Sequence, residues 1–596
     1  MHEIITLQLG RQSNYVAAHF WNAQESYFTY GKDDPSPVDH DIHWRAGIGA
    51  DGSETYLPRT VVYDRKGGFG SLRKVNALYE AQEEAHNQQA SAMDLPSSLW
   101  HGRTVVQRET PILPSAYTQS LDTGLPPTEP LTPATVRYWS DYSRVYYHPR
   151  SLIEVGDEPE VSAPQMATNG TNGAHGANGA QPGTAASTGA AQPREYTWGD
   201  GESLFAELDR EHDLLDRDLR PFVEEADQMQ GFQVMASVDD SWGGFAARYL
   251  ERMRDEYGKV DIWLWALQQP AGRLPREKRI TRLANKARTL VEAYSQASLV
   301  IPLAVPSMPL TSVLPSTFDS TSTWHTAALL ATAIETATLP ARLRRLGSGA
   351  VGQSGDSLAY LTDLLNATGK QTVANLQMSV VQPWQSVQKY ARERREAAGY
   401  DEDDYGVGNS TKMDGDLQLP IDFAPRDESV VVAGRAGRGA RAKKPRMFGQ
   451  AVVTRATPGE DGDGDDKGGG GGEDDDESQT ERGATLDRRD MMHRRFALKP
   501  VSQRYTVPLG FPLLDSFPYI YQQTSDSTAS IPVTTALATD RTVADRIQTL
   551  RTNVTMGAPW AIGLEDREAL GNDLAGMADA YHDGWSSGSD AGDDED

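Results

Sequence analysis

Gly231-Phe-Gln-Val-Met-Ala-Ser-Val-Asp-Asp-Ser-Trp-Gly-Gly-Phe245 decides how this chain is read. Phe232 to Val238 is β-prone and ends in a tight polar turn. Tyr249, Leu250 and Met253 then recur at helical spacing. A strand, a turn of small residues and a helix together present backbone N–H groups at a helix N-terminus, a geometry that suits a phosphate. Ser241, Gly243 and Gly244 stand where those groups would be offered. Asp239, Asp240 and Trp242 oppose that role. Two carboxylates repel a polyphosphate, and an indole fills room that a glycine leaves open.

Two further turns belong with this one. Ile4 to Leu9 has the β-branched, apolar profile of a buried strand, and Gly10 ends it. From Asn14 to Gln24, Val16, Ala17, Phe20 and Trp21 share one helical face. Between them lies Gly10-Arg11-Gln12-Ser13-Asn14-Tyr15. Arg11 has the charge to pair with a phosphate, whereas Gly10 read plainly is a turn and Asn14 a helix cap. The third turn follows Tyr56 to Asp64 and reads Arg65-Lys66-Gly67-Gly68-Phe69-Gly70.

The three turns resemble the nucleotide loops of the tubulin family. Gly10 and Asn14 match that family's Gly-Gln-x-Gly-Asn-Gln loop, while Arg11 replaces a glutamine and Ser13 a glycine. Asp64 matches the aspartate of Asp-x-Glu-Pro-Gly, and Lys66 stands where the family has a magnesium-linked glutamate. The resemblance implies a degenerate nucleotide site at Gly10, Arg11, Gln12, Asn14, Asp64, Lys66, Gly68, Ser241, Gly243 and Gly244, with GTP or GDP as the implied ligand. Tubulins also use an asparagine for the guanine base, and none stands between Trp324 and Leu339. Tubulin-type hydrolysis needs an acid delivered by the next subunit after the central helix. With that helix read at Ser357 to Ala374, the loop Val380 to Lys389 lacks a matching acid. No catalytic residue and no metal ligand is assigned.

The opening Met1 to Gly10, the segment His19-Phe-Trp-Asn-Ala-Gln-Glu-Ser-Tyr27 and the loop Val238 to Phe245 resemble one branch, the Misato family, whose fungal members act in mitochondrial inheritance. This resemblance implies a tubulin/FtsZ-like fold and a part in partitioning mitochondria and their DNA. It implies residence at the mitochondrion and in the cytoplasm; with no presequence read at the start, the cytoplasmic face of the organelle is the expected place. Its partners would be proteins of mitochondrial distribution, cytoskeletal ones among them, with self-association left open. Two classes of function compete. One is a non-enzymatic scaffold, favoured by Asp239, Asp240, Trp242 and Lys66 and indistinguishable by sequence from a chaperone of tubulin-type folds. The other is a GTP-binding switch or weak GTPase, in which Arg11 and Lys66 offset phosphate charge, Gly243 and Gly244 donate N–H groups and Asp64 helps place water or metal.

Composition bounds the rest. A chain of 596 residues exceeds one ordinary core. A net charge of −27 disfavours direct nucleic-acid binding. The absence of cysteine removes disulfides, thiolate catalysis and cysteine-held metals. No apolar run is long enough to span a bilayer, and the first residues read as a strand rather than a presequence. Gly-Lys-Ser/Thr and His-Glu-x-x-His are both missing. Asp39-His40-Asp41-Ile42-His43 holds metal-ligand residue types but reads as a solvated loop or a strand edge.

Alternating strands and helices predict a tubulin-like α/β domain over 1–381, a doubly wound parallel, Rossmann-like sheet. An aromatic-rich insertion at 95–155 is read as packing on the core, and 162–193 as a disordered linker. A smaller α+β domain is expected over 382–585, with disorder at 455–490 and an acidic tail at 586–596. Leu204 to Val223 reads as one long amphipathic helix.

Overall fold

The computed structural model describes residues 3–29, 36–48, 54–72, 112–156, 196–269, 274–306, 314, 317–344, 356–380, 419–426, 446–455, 501–521, 530–557 and 562–581. The helix read over Leu72 to Met93, the strand at Val430 to Gly434, the linker at 162–193, the acidic run and the tail lie essentially outside these residues.

Strand β1 (Glu3–Leu9) is wholly buried and forms the middle of a parallel sheet. Its apolar residues serve both faces, with Ile5, Leu7 and Leu9 in one core and Ile4 in the other. Helix α1 (Arg11–Glu25) follows at once. The other strands of this sheet are β2 (Thr60–Arg65), β3 (Leu152–Val155), β4 (Met229–Ser237), β5 (Asp261–Gln268) and β6 (Leu299–Ala304). Their spatial order is β3-β2-β1-β4-β5-β6, and every neighbouring pair is parallel. The order reverses direction at β1, so a crevice opens at the carboxyl ends of β1, β2 and β4. The three turns singled out in the sequence lie there.

Helices α2 (Trp198–His212), α3 (Ser241–Glu256) and α4 (Arg276–Gln296) cover the face of Leu7 and Leu9. On the other face, α1 packs against α5 (Thr323–Thr338). Every residue of α5 from Trp324 to Thr338 is buried. An Ala-, Leu- and Thr-rich helix with no charged face is the kind that sits between layers. It is therefore the central helix, which corrects the expectation of Ser357 to Ala374. The helix that begins at Leu358 is the short α6 (Leu358–Leu365), cut off before Gly369, whose φ is +74°.

A second sheet lies beyond α5. It contains β7 (Asn375–Ser379), β8 (Ile421–Asp422), β9 (Met447–Arg455), β10 (Val501–Val507) and β11 (Val533–Asp540), in the order β8-β7-β11-β9-β10. The strand expected to close the first sheet near residue 381 thus belongs to the second. Helices α7 (Thr542–Gly557) and α8 (Leu564–Asp579) return to pack on α4. The long amphipathic helix expected to Val223 is broken. Asp213, at φ 45°, ends α2, and a π-helical turn Leu215–Leu219 precedes a short helix Arg220–Glu224.

The aromatic insertion packs inward where it is described. Trp139, Tyr142 and Tyr147 are buried, and the Tyr142 hydroxyl donates to the Tyr15 carbonyl oxygen at 2.8 Å. His40 stacks on Phe28 at 3.9 Å, and His43 lies buried beside Phe20 and Trp21.

The layers are pinned by one buried ionic cluster. Glu335 of α5 accepts from Arg342 at 3.0 Å and from Arg455 at the end of β9, and all three side chains are inaccessible to solvent. Arg455 also donates to the Tyr27 hydroxyl at 2.7 Å and to the carbonyls of Leu509 and Gly510. The cluster ties the end of α1 to the central helix and the second sheet. Removing one member of a buried pair leaves an uncompensated charge, at a cost of roughly 3–5 kcal/mol. Glu335→Gln is expected to lower unfolding free energy by about that amount, read from urea titration of tryptophan fluorescence. A loss below about 1 kcal/mol would show that the cluster does not hold the layers together.

Candidate functional site

The crevice is built by the β1–α1, β2 and β4–α3 turns. Gly10 caps α1 at φ +92°, a conformation open to glycine. Its bare backbone faces the Trp242 indole. A methyl group on Gly10 would lie 2.5 Å from Trp242 Cδ1. Trp242 is only 6% exposed, so its ring fills the gap between the two turns that the sequence associates with phosphate.

The N-terminus of α3 is already capped. Asp240 Oδ1 accepts from the Trp242 N–H at 2.8 Å, and the Asp240 carbonyl oxygen accepts from the Gly243 N–H at 3.2 Å. The Trp242 and Gly243 N–H groups, which would otherwise meet a phosphate, are thus engaged within the chain. The glycines serve packing as well. A Cβ on Gly243 would come within 2.3 Å of Thr289 Oγ1, and one on Gly244 within 2.0 Å of the Trp198 carbonyl oxygen. Across the same contact, a Cβ on Gly201 would meet the Ser241 carbonyl oxygen at 1.6 Å. These residues let α2 and α4 close on α3.

Asp64 is locked and buried. Its carboxylate accepts from Asn14 Nδ2 at 2.8 Å, Trp139 Nε1 at 3.2 Å and the Arg65 N–H at 2.9 Å. Burial pushes its pKa up to about 6 despite these donors. A Cβ on Gly68 would lie 2.4 Å from Asp64 Oδ1, so Gly68 makes room for this carboxylate. Gln12 bridges two strand ends: its Nε2 donates to the Gln268 carbonyl oxygen at 3.1 Å, and its Oε1 accepts from Ser237 Oγ at 3.3 Å. Arg11 is exposed and donates to the Arg137 carbonyl oxygen at 3.3 Å, reaching the insertion. Lys66 lies in the exposed turn after β2.

The structure therefore joins Gly10 to the α3 turn through Trp242, and Asn14 and Gly68 to Asp64. The cation at the α3 terminus is one that the sequence reading did not assign. Arg65 Nη2 donates to Ser241 Oγ at 2.9 Å, and its guanidinium lies 3.9 Å from the centre of the Tyr196 ring. Strand alternation could have found it, because Tyr63 and Arg65 share a face opposite Asp64. Asn285 and Thr289 of α4 were also missed. Asn285 Nδ2 donates to the Asp239 carbonyl oxygen at 3.1 Å, and Thr289 Oγ1 to the Val238 carbonyl oxygen at 3.4 Å. Their spacing of four residues on a buried helix face is the available signal.

A guanine nucleotide fits these residues poorly. Its phosphates would have to displace the indole and lie beside two buried carboxyl groups. Asp239 Oδ2 accepts from the Gln269 N–H at 3.1 Å, and Arg282 stands 3.8 Å away. Burial, and then the adjacent Asp240 charge, push the Asp239 pKa up to about 7. Burial raises that of Asp240 too.

The sign of the resulting pH dependence is fixed. The folded chain holds protons on Asp239 and Asp64 that the unfolded chain releases near pH ~4. The stability linked to them is full below that value and is lost as pH rises through about 6 and about 7. Asp239→Asn is expected to raise the urea midpoint relative to the parent at about pH 8 and to leave it unchanged at about pH 4. A difference independent of pH would contradict the assignment. Gly244→Ala is expected to cost about 3 kcal/mol through overpacking. Gly67→Ala, with φ +80° and no atom within 4 Å of the added methyl, should cost only about 1 kcal/mol.

With the fold and crevice described, comparison with known proteins gives a consistent result. The Misato Segment II tubulin-like domain matches residues 2–123, and the Tubulin domain matches 128–174 and 188–343. The chain is 47% identical to Protein dml-1 of Neurospora crassa and 42% identical to Protein DML1 of Gibberella zeae, each over 100% of both chains. It is 32% identical to Protein misato homolog 1 of Bos taurus over 62% of this chain and 63% of that one. The chain belongs to the Misato family of tubulin-like proteins.

Proposed function

We propose that this protein is a non-enzymatic, tubulin-like scaffold that takes part in distributing mitochondria and in mitochondrial DNA inheritance. The observation that carries the scaffold reading is the Trp242 indole seated against Gly10, with Asp240 capping the helix a phosphate would use. A fold that builds the crevice and then fills it from its own chain keeps the architecture without the ligand. The mitochondrial part rests on the resemblance of the N-terminal segment and the Val238 to Phe245 loop to the Misato branch. The work is then done by the outer surfaces, through protein partners at the cytoplasmic face of the organelle.

Tubulin-type hydrolysis gains no support from the segment after the central helix. In that stretch Asp356 is buried and accepts from the Tyr505 hydroxyl at 2.7 Å, so its carboxylate is engaged inside the molecule. The loop first considered, Val380 to Lys389, lies outside the described residues apart from Val380.

Two experiments test the proposal. Protein purified without added nucleotide, denatured and run on an ion-exchange column, is expected to release no stoichiometric guanine nucleotide, with or without prior incubation in GTP and magnesium. Stoichiometric release would make the protein a nucleotide switch. In cells depleted of the protein, mitochondria are expected to partition unevenly, and Arg11→Ala should restore them as well as the parent does. Failure of the exposed Arg11 variant alone would favour phosphate binding over scaffolding.

A further inference from the structure

Behind the β4–α3 turn lies a cavity of about 250 Å³ that the nucleotide reading does not use. It separates the carboxyl half of the parallel sheet from α4 and α7. Leu264, Val300, Val373, Val543, Ile547 and Leu550 give it an apolar wall. Ala266, on the strand between β4 and β6, leaves its floor open. The volume lies below the usual range for drug-sized ligands. It suits one hydrocarbon chain of medium length. An apolar cavity of this kind favours hydrocarbon over water.

The rim is chemically distinct from the wall. Lys286, Arg426 and Arg546 line it, and no carboxylate does among the described residues. Arg546 is fixed in place, donating to Asn375 Oδ1 at 2.5 Å and to Asp422 Oδ2 at 2.8 Å. Asp422 also stands 3.6 Å from Arg426, so one carboxylate serves two guanidinium groups. In a chain of net charge −27, three cations gathered at the mouth of an apolar cavity form a local exception.

We infer that this cavity binds an amphipathic anion, a medium-chain carboxylate or the chain and acidic headgroup of a lipid, with its tail between β5, β6 and α7 and its head at Arg546 and Lys286. Such a ligand would bridge the parallel sheet and the helix that follows the second sheet. It would touch Val238 and Thr289, which support the Trp242 turn from behind.

The test is calorimetric titration of the full chain with sodium decanoate below its micelle concentration. Saturable one-to-one binding is expected. Decyltrimethylammonium, with an equal tail and the opposite charge, should bind at least tenfold more weakly. Ala266→Phe fills the floor and should weaken decanoate binding at least tenfold. Circular dichroism checks that it folds, and Leu550→Phe on α7 serves if it does not. Heats of dilution alone, equal binding of the cationic amphiphile, or undiminished binding by a folded, filled variant would overturn the inference. Sedimentation with phosphatidylglycerol vesicles separates the two sources. Co-sedimentation that decanoate abolishes assigns the site to a membrane lipid. Decanoate binding without co-sedimentation assigns it to a free amphiphile.

Discussion

The close approach of three backbones at the start of α3 is the constraint on which this structure turns. Gly201 and Gly244 bring α2 against α3 with no room for a Cβ, and Gly243 brings α4 in from the other side. Pressed from both sides, the first turn of α3 has one large side chain, Trp242, and it lies on the bare backbone of Gly10. The contact joins the ends of β1 and β4, neighbours in the parallel sheet, at the point where the sheet order reverses. In an open doubly wound sheet that position is where a ligand goes. Here it is occupied by the protein itself.

The surrounding groups follow from that occupancy. A capped helix N-terminus offers little to an anion, so Asp239 and Asp240 can be buried beside it without a ligand to repel. Their burial is costly, and it shows as raised pKa values rather than as a cation site. Among the described residues, no group of three metal-ligating side chains comes together. Farther away, Glu335 and its two arginines hold α5 between the sheets.

Much of the fold was legible. β1, α1, β4 and α3 combine local apolar periodicity with turn residues at their boundaries, and these signals need no tertiary information. The central helix was misplaced because α5 and α6 are both apolar, and only packing reveals that α5 is buried on every side. The strand Asn375–Ser379 reads like any other buried strand, and nothing local says which sheet it joins. At the site, the sequence shows which residues stand in the three turns but not what each one touches. Gly243 and Gly244 were read as phosphate donors, whereas their neighbours are Thr289 and Trp198, residues distant in sequence. Arg11 and Lys66 were assigned the phosphate-facing charge, and Arg65, which strand alternation brings to the α3 terminus, was not considered. In the described part of the insertion Trp139, Tyr142 and Tyr147 are buried, as expected where aromatics of an acidic chain have more to gain from burial than from stacking on bases.

The most direct measurement is fluorine NMR of protein labelled with 5-fluorotryptophan, with the Trp242 resonance assigned by its loss in Trp242→Phe. If the indole closes the crevice, that resonance stays in place and keeps its width as GTP and magnesium are added to millimolar concentration. A shifted or second Trp242 resonance that saturates with GTP would mean that the ring moves aside for a nucleotide, and the crevice would then be a working site.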